Sequence, residues 1–378
     1  MKRRTSGAGS PQALHWFFRL LSVIVALGII VCVLILGGVA YFNAPPKTPP
    51  ALELGTTAAG QLAGRASPQE GMRLDESGAL LLEIRNGETA YSVGKRLENA
   101  GIVKTRYFWN ILSRLDREYI KAGTYRIELP ASQIKIHSVL KAGEQLLVKV
   151  TIPEGVTLKK AARILEDSGI CGEEEFLAAA SSREILDAYQ VPGTTMEGYL
   201  YPDTYLFSLA YPAAKVVSAM ADNFFRRLEL IATETLSMSA AELNNRIIIA
   251  SIVEREYRIS EEAGLMAGVF YNRLKIGMAL QSCATVEYLI TEIQGRPHPE
   301  VLYSRDLEIR NPYNTYLRPG LPPGPISAPG ETALRAAFNP TKSDYFYFRL
   351  TDAGAGRHYF SRTLDDHIKA GTLYVKGR

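Results

Sequence analysis

One carboxylate in this chain stands where acid–base chemistry would need it. Ser239-Ala-Ala-Glu242 has the spacing of a capping box, which marks the start of a helix and fixes the phase of the residues beyond it. At about 100° per residue, Leu243, Ile247, Ala250 and Glu254 fall within about 60° of one another, so Glu254 continues an apolar stripe. A carboxylate withdrawn from water with no cation beside it has its charged form destabilised. Its pKa then rises toward the range a general acid needs near neutral pH. Arg255 projects about 100° round the helix, and Glu256 falls on the opposite side, where a solvated position is expected. The same geometry fits a buried structural acid held by an arginine or capping a loop, and periodicity does not separate the two.

Other chemistries find little support in the residues. The five histidines include no pair at the i, i+4 spacing of a helical zinc site, and no two cysteines stand at ligand spacing, so no metal is expected. Gly-x-Ser-x-Gly, P-loop and dinucleotide fingerprints are absent, and no cofactor is expected. His358 and His367 are expected to serve structure. Cys171 and Cys283 fit either a disulfide or two separate buried thiols.

Several longer motifs stand in series. Ala250-Ser-Ile-Val-Glu254-Arg-Glu256 is followed by Val269-Phe-Tyr-Asn272-Arg273-Leu274-Lys-Ile-Gly277-Met278, Leu280-Gln281 and Thr285-Val286. Tyr313-Asn314-Thr315-Tyr316 and Gly320-Leu-Pro-Pro-Gly-Pro-Ile326 come next, and Glu197-Gly-Tyr-Leu-Tyr-Pro202-Asp203-Thr204-Tyr205 lies upstream. Ala337-Phe-Asn-Pro340 and His358-Tyr-Phe-Ser361 close the series. Together they resemble the YceG-like (MltG) family of endolytic murein transglycosylases over roughly residues 80 to 375. One departure is Cys283-Ala284, where many relatives carry a small polar residue or Asp-Pro.

By that resemblance Glu254 matches the family's essential glutamate. The implied reaction is a lyase cleavage of the glycosidic bond of N-acetylmuramic acid within nascent glycan strands. One carboxylate acts first as acid and then as base, no water enters, and a 1,6-anhydro end is left. Gln281, Tyr313, Asn314 and Tyr316 match motif positions whose amides and aromatic faces suit a sugar cleft, although loop packing explains them equally well. Glu197 is either a second active-site polar group or a tie for the loop it opens. The implied substrate is peptidoglycan, with synthases of the penicillin-binding class as partners. Two rival readings stay open: a hydrolytic muramidase using Glu254 with another carboxylate such as Glu197, and a non-catalytic wall-binding scaffold.

The elements that must position these residues are legible in outline. The composition, 47% hydrophobic and 22% charged, is that of a folded protein. Residues 1–19 form a short basic tail expected to be cytoplasmic. Residues 20–42 carry no charge and span roughly 35 Å as a helix, enough to cross a bilayer once. Cations lie only before that run, which places the amino terminus inside and the rest outside the cytoplasm, in a periplasm where there is an outer membrane. Lys2, Arg3, Arg4 and Arg19 account for the whole formal net charge of +4, and the remainder is neutral. A neutral body argues against nucleic acid as a partner.

Residues 43–78, rich in Pro, Ala, Gly and Thr without apolar periodicity, read as a flexible linker. Beyond it lies an internal repeat. Ile84, Gly87, Thr89, Leu97, Glu98, Gly101 and Ile102 recur 68 positions later as Ile152, Gly155, Thr157, Leu165, Glu166, Gly169 and Ile170, and Phe108 matches Phe176. Each copy reads as a strand, a glycine turn, a helix capped by threonine and a terminating glycine. The first copy continues to a second helix and strand, which makes residues 79–150 similar to a LysM glycan-binding module. A small α+β unit used twice without a ligand reads equally well. Residues 151–378 are expected to form the catalytic domain, with helices over 213–230, 240–257 and 261–275 and a hairpin of strands 344–350 and 357–361. The fold class is therefore α+β.

Overall fold

In the computed structural model of the chain the described residues are 11–47, 52, 71–75, 77–85, 87–116, 120–232, 238–352 and 354–375. They divide into two compact units, the first ending at Leu146 and the second running on from Leu147.

The first unit opens with α1 (Pro11–Asn43). From His15 to Asn43 it is long and apolar enough to cross a membrane, and the apolar side chains of that stretch are largely exposed. Most of the expected linker lies outside the described residues. Its end is nonetheless structured: β1 (Met72–Leu74) pairs antiparallel with β2 (Leu80–Ile84), an element too short for any periodicity to show. Next come α2 (Ala90–Asn99), α3 (Arg106–Asp116), β3 (Gly123–Ile127) and α4 (Gln133–Ala142). β2 and β3 pair antiparallel with Leu82 opposite Tyr125, so strand, helix, helix and strand close on one core containing Leu80, Leu82, Leu97, Trp109 and Tyr125.

The second unit begins with β4 (Leu147–Thr151), α5 (Leu158–Asp167), α6 (Glu173–Ala180), α7 (Arg183–Ala188) and β5 (Thr204–Ser208). β4 pairs antiparallel with β5, so the strand spanning residue 150 belongs to this unit. The sequence repeat is matched by repeated hydrogen bonding. Thr89 Oγ1 accepts from the Ser92 amide, and Thr157 Oγ1 accepts from the Lys160 amide. Gly101 and Gly169 both turn at φ +70°, a left-handed conformation natural to glycine. Each lets the following isoleucine amide, Ile102 or Ile170, donate back to a carbonyl, that of Leu97 or Leu165.

The chain continues through α8 (Ala213–Ile231), α9 (Ala240–Glu256), α10 (Ser260–Lys275) and α11 (Cys283–Tyr288), which runs into a π-helical turn at Leu289–Ile293. α12 (Ser304–Leu307), α13 (Glu331–Phe338), the hairpin β6 (Tyr347–Asp352) and β7 (Arg357–Ser361), and α14 (Leu364–Val375) complete it. The mixed α+β class agrees with the sequence reading.

α9 is the centre of this unit. Every residue from Ile247 to Val253 is buried, so this stretch is enclosed on all sides and not merely along one stripe, as befits a helix surrounded by others. α10, α11 and α13 surround it. Ser239 caps it by accepting from the Glu242 amide, while the Glu242 carboxylate pairs with Arg246. Cys171 and Cys283 are free thiols, the first buried and the second exposed.

Candidate active site

Glu254 sits in the last turn of α9, just beyond the buried run. Two serine contacts set what faces it. Ser251 Oγ accepts from the Ile326 amide at 3.0 Å, and the Ser327 hydroxyl donates to the Ser251 carbonyl at 3.0 Å. These bonds hold the Gly320–Ile326 loop along α9. One turn further on, the Gly330 amide at the start of α13 donates to Glu254 Oε2 at 2.9 Å. On the other flank the Gly155 amide donates to the Ala328 carbonyl at 2.9 Å, and the Ala328 amide donates to the Val156 carbonyl at 2.8 Å. A Cβ added to Gly155 would lie 3.6 Å from Glu254 Cγ, so this glycine turn approaches the acid closely.

The electrostatics favour a proton on Glu254. Burial is the largest influence and pushes its pKa up to about 7; the Gly330 amide and the Tyr257 hydroxyl, 3.5 Å from Oε1, pull the other way, and the Glu154 carboxylate adds to the rise. No ion pair among the described residues offsets it: the neighbouring Arg255 is turned to Glu287, 2.9 Å away. Glu154 was not singled out by the sequence reading. Its side chain reaches over Gly330, where an added Cβ would come within 2.0 Å of Oε1. The available signal was that the first copy of the repeat has Asn86 at the matching position, so only the second copy has an acid before its turn glycine.

Other residues are placed less simply. Glu256 departs from the solvated position expected of it: its carboxylate accepts the Ser282 hydroxyl, and burial raises its pKa, because α11 packs across the far side of α9. Gln281 and Tyr316 line a cavity of about 510 Å³ together with Arg255 and Glu256, and Glu254 is not among its lining residues. Asn314 is fully buried and staples its own loop, donating to the Leu307 and Ile309 carbonyls at 2.9 Å and accepting from the Tyr316 amide. The Tyr313 ring packs on Tyr288 at 5.2 Å. Glu197 is buried with both oxygens 3.0 Å from the Leu158 amide, and Tyr288 donates to it at 3.4 Å. Burial pushes its pKa up to about 8. It thus meets the first turn of α5 and ties the segment from Glu197 to Tyr205 to that helix.

A half-buried, protonatable carboxylate with a second carboxylate beside it is equipped to protonate a leaving oxygen and afterwards accept a proton. Several known proteins resemble this chain. It is 29% identical over 327 residues to the endolytic murein transglycosylase of Streptococcus pneumoniae strain R6, a match covering 78% of this chain and 58% of that protein. A Bacillus subtilis strain 168 protein of the same name is 27% identical over 326 residues, covering 82% of this chain and 88% of that one. The chain thus spans little more than half the length of its pneumococcal relative. A crystal structure of a YceG-like protein from Listeria monocytogenes superposes with a TM-score of 0.52 at 29% identity, covering 77% of this chain and 98% of that one. The model of the YceG-like family matches residues 82–372, well over half of the sequence, and the chain belongs to that family.

Proposed function

We propose that this protein is a membrane-anchored lytic transglycosylase that cleaves the bond between N-acetylmuramic acid and N-acetylglucosamine within nascent peptidoglycan strands. The observation that carries the reading is Glu254, held near neutral pKa by burial with no cation paired to it among the described residues. Its relatives' shared name supports the substrate. Protonated Glu254 gives its proton to the glycosidic oxygen as the C1–O bond breaks, and the 2-acetamido group of the muramyl residue stabilises the developing oxocarbenium ion. The carboxylate then takes the proton from the sugar's own 6-hydroxyl, whose oxygen closes on C1. A 1,6-anhydro end results and no water is consumed.

In this reading α1 anchors the chain with its amino terminus in the cytoplasm, and both folded units work outside. The strand–helix–helix–strand order of β2, α2, α3 and β3 supports a LysM-like glycan-holding role for the first unit. Confinement near the membrane favours the newest strands, and synthases that polymerise them are the expected partners.

Glu154 favours one rival. With a second carboxylate beside the acid, a water could be activated and the bond hydrolysed. Mass spectrometry of digested glycan decides: the lytic route yields anhydro ends, and hydrolysis yields products heavier by one water. A wall-binding scaffold without catalysis predicts that Glu254→Gln changes nothing.

A further inference from the structure

Arg255 reaches both the surroundings of Glu254 and a separate cavity. Its Cδ would lie 3.7 Å from a Cβ on Gly155, beside Glu254, and it also lines the cavity of about 510 Å³ on the other side of the last turn of α9. That volume lies within the range of small-ligand sites. The hairpin contributes Phe348, Arg349 and Leu350 to its wall, and α14 contributes Leu364 and His367.

The charge balance in this cavity is one-sided. Its two acids are both engaged: Glu287 pairs with Arg255 at 2.9 Å, and Glu256 accepts from Ser282, with burial favouring its neutral form. Arg258, Arg273 and Arg349 have no carboxylate partner among the described residues. Arg273 is buried and spends its donors on the Phe346 and Leu280 carbonyls, but its charge stays in the wall. His358 brings its own partner, Glu262, at 2.7 Å. His367 Nδ1 is buried with no hydrogen-bond partner, and burial together with Arg349 and Arg273 lowers the pKa of its ring. Arg258, Arg349 and an unpartnered ring nitrogen beside the apolar Phe348, Leu350 and Leu364 describe a site for an anion with small apolar attachments.

A glycan strand is a poor source of that anion. N-acetylated sugars carry no charge, and the lactyl carboxyl of each muramyl residue is consumed in its amide bond to the peptide. The stem peptides do carry free carboxylates, next to alanine methyls. Arginine forks match planar carboxylates in a way they do not match neutral sugars. We propose that this cavity binds the carboxylate-bearing stem peptide of the muramyl residue cleaved at Glu254, with Arg258 and Arg349 as its anion contacts. The proposal rests on the peptidoglycan reading above, since it names the part of that substrate the cavity takes.

The test uses the full-length chain and one glycan preparation in two forms, peptide-bearing and stripped by an amidase with the lactyl carboxyl thus freed capped as its methylamide. Wild type is expected to show a higher kcat/KM on the peptide-bearing form. Arg258→Gln with Arg349→Gln is expected to lower the peptide-bearing to stripped ratio about tenfold, through KM, with Arg349→Lys only partly restoring it. An unchanged ratio overturns the proposal. Binding of a free stem tetrapeptide, which has no glycosidic bond to cleave, is read separately by calorimetry on Glu254→Gln protein. Binding is expected to weaken at least tenfold when the peptide carboxylates are amidated. Equal binding of acid and amide overturns the proposal, as does displacement of the peptide by inorganic pyrophosphate at lower concentration than by acetate-capped D-alanine, which would make the site one for phosphate. If wild type cuts neither glycan form, the catalytic reading fails while the calorimetry still reports on the cavity.

Discussion

The Gly330 amide and the Glu254 carboxylate meet at 2.9 Å across 76 positions of sequence. By itself this backbone donor would favour the charged form of the acid. Burial and the nearby Glu154 outweigh it, which leaves Glu254 near half-protonation at neutral pH. A reaction that needs the same group as acid and then as base is served by that balance.

Glu254→Gln should lower cleavage by about a hundredfold to ten-thousandfold, the usual contribution of a general acid. It should also stabilise the fold at alkaline pH. The folded pKa of about 7 lies above the ordinary 4.5, so wild type loses stability as pH rises between those values and bears the whole penalty above about 7. The variant should therefore be more stable at pH 8 by about 1–3 kcal/mol, with the difference vanishing near pH 4. Thermal melts at the two pH values check this, and equal melting at pH 8 would contradict a buried, unpaired carboxylate.

In the proposed reaction Glu254 must be protonated when substrate binds. kcat/KM should thus be level on the acid side and fall about tenfold per pH unit above about 7. Glu154→Gln removes a like charge and should move that midpoint to lower pH. A profile that does not move would remove Glu154 from the electrostatics of the site.

Gly330→Ala offers an independent route to the same effect. The backbone there has φ −81°, which alanine adopts freely, but the new Cβ would meet the Glu154 carboxyl at 2.0–2.2 Å. Glu154 is exposed and can swing aside, so stability should change by no more than about 0.5 kcal/mol. The pH midpoint should shift in the same direction as in Glu154→Gln. Because both changes remove one interaction, the double variant should shift no further than either single one.

Glu197→Ala should cost about 1–3 kcal/mol, because it strips the buried Leu158 amide of its acceptor at the start of α5. Glu197→Gln keeps an acceptor oxygen and should cost less. Denaturant titration measures both. If Glu197 only supports the loop, the products formed by either variant still carry anhydro ends; a loss of cleavage in Glu197→Gln with an intact fold would return it to the chemistry.

Local patterning carried much of the architecture. The threonine caps at Thr89 and Thr157, the terminating glycines Gly101 and Gly169, the Ser239 cap and the three long helices α8, α9 and α10 all depend on bonds between near neighbours in the chain. The apolar helix α1 is equally local, since it needs only length and composition. Glu254 was found through its phase on a helix that starts at a readable cap.

What periodicity could not contain is what packs against a side chain. Glu256 was placed in solvent by the same counting that found Glu254, yet α11 covers it. Gln281, Tyr313, Asn314 and Tyr316 look alike as motif residues, but the fold sends Gln281 and Tyr316 to a cavity, Tyr313 to an aromatic stack and Asn314 into the interior of its loop. Glu154 became visible only when the turn before α5, the end of α9 and the start of α13 converged. The sequence alone thus determined on which helix Glu254 rides and that it continues that helix's apolar stripe. Tertiary packing decided how dry that group is, which charge stands beside it and which concavity each neighbour faces, because burial and Coulomb interactions depend on distance in space and not along the chain.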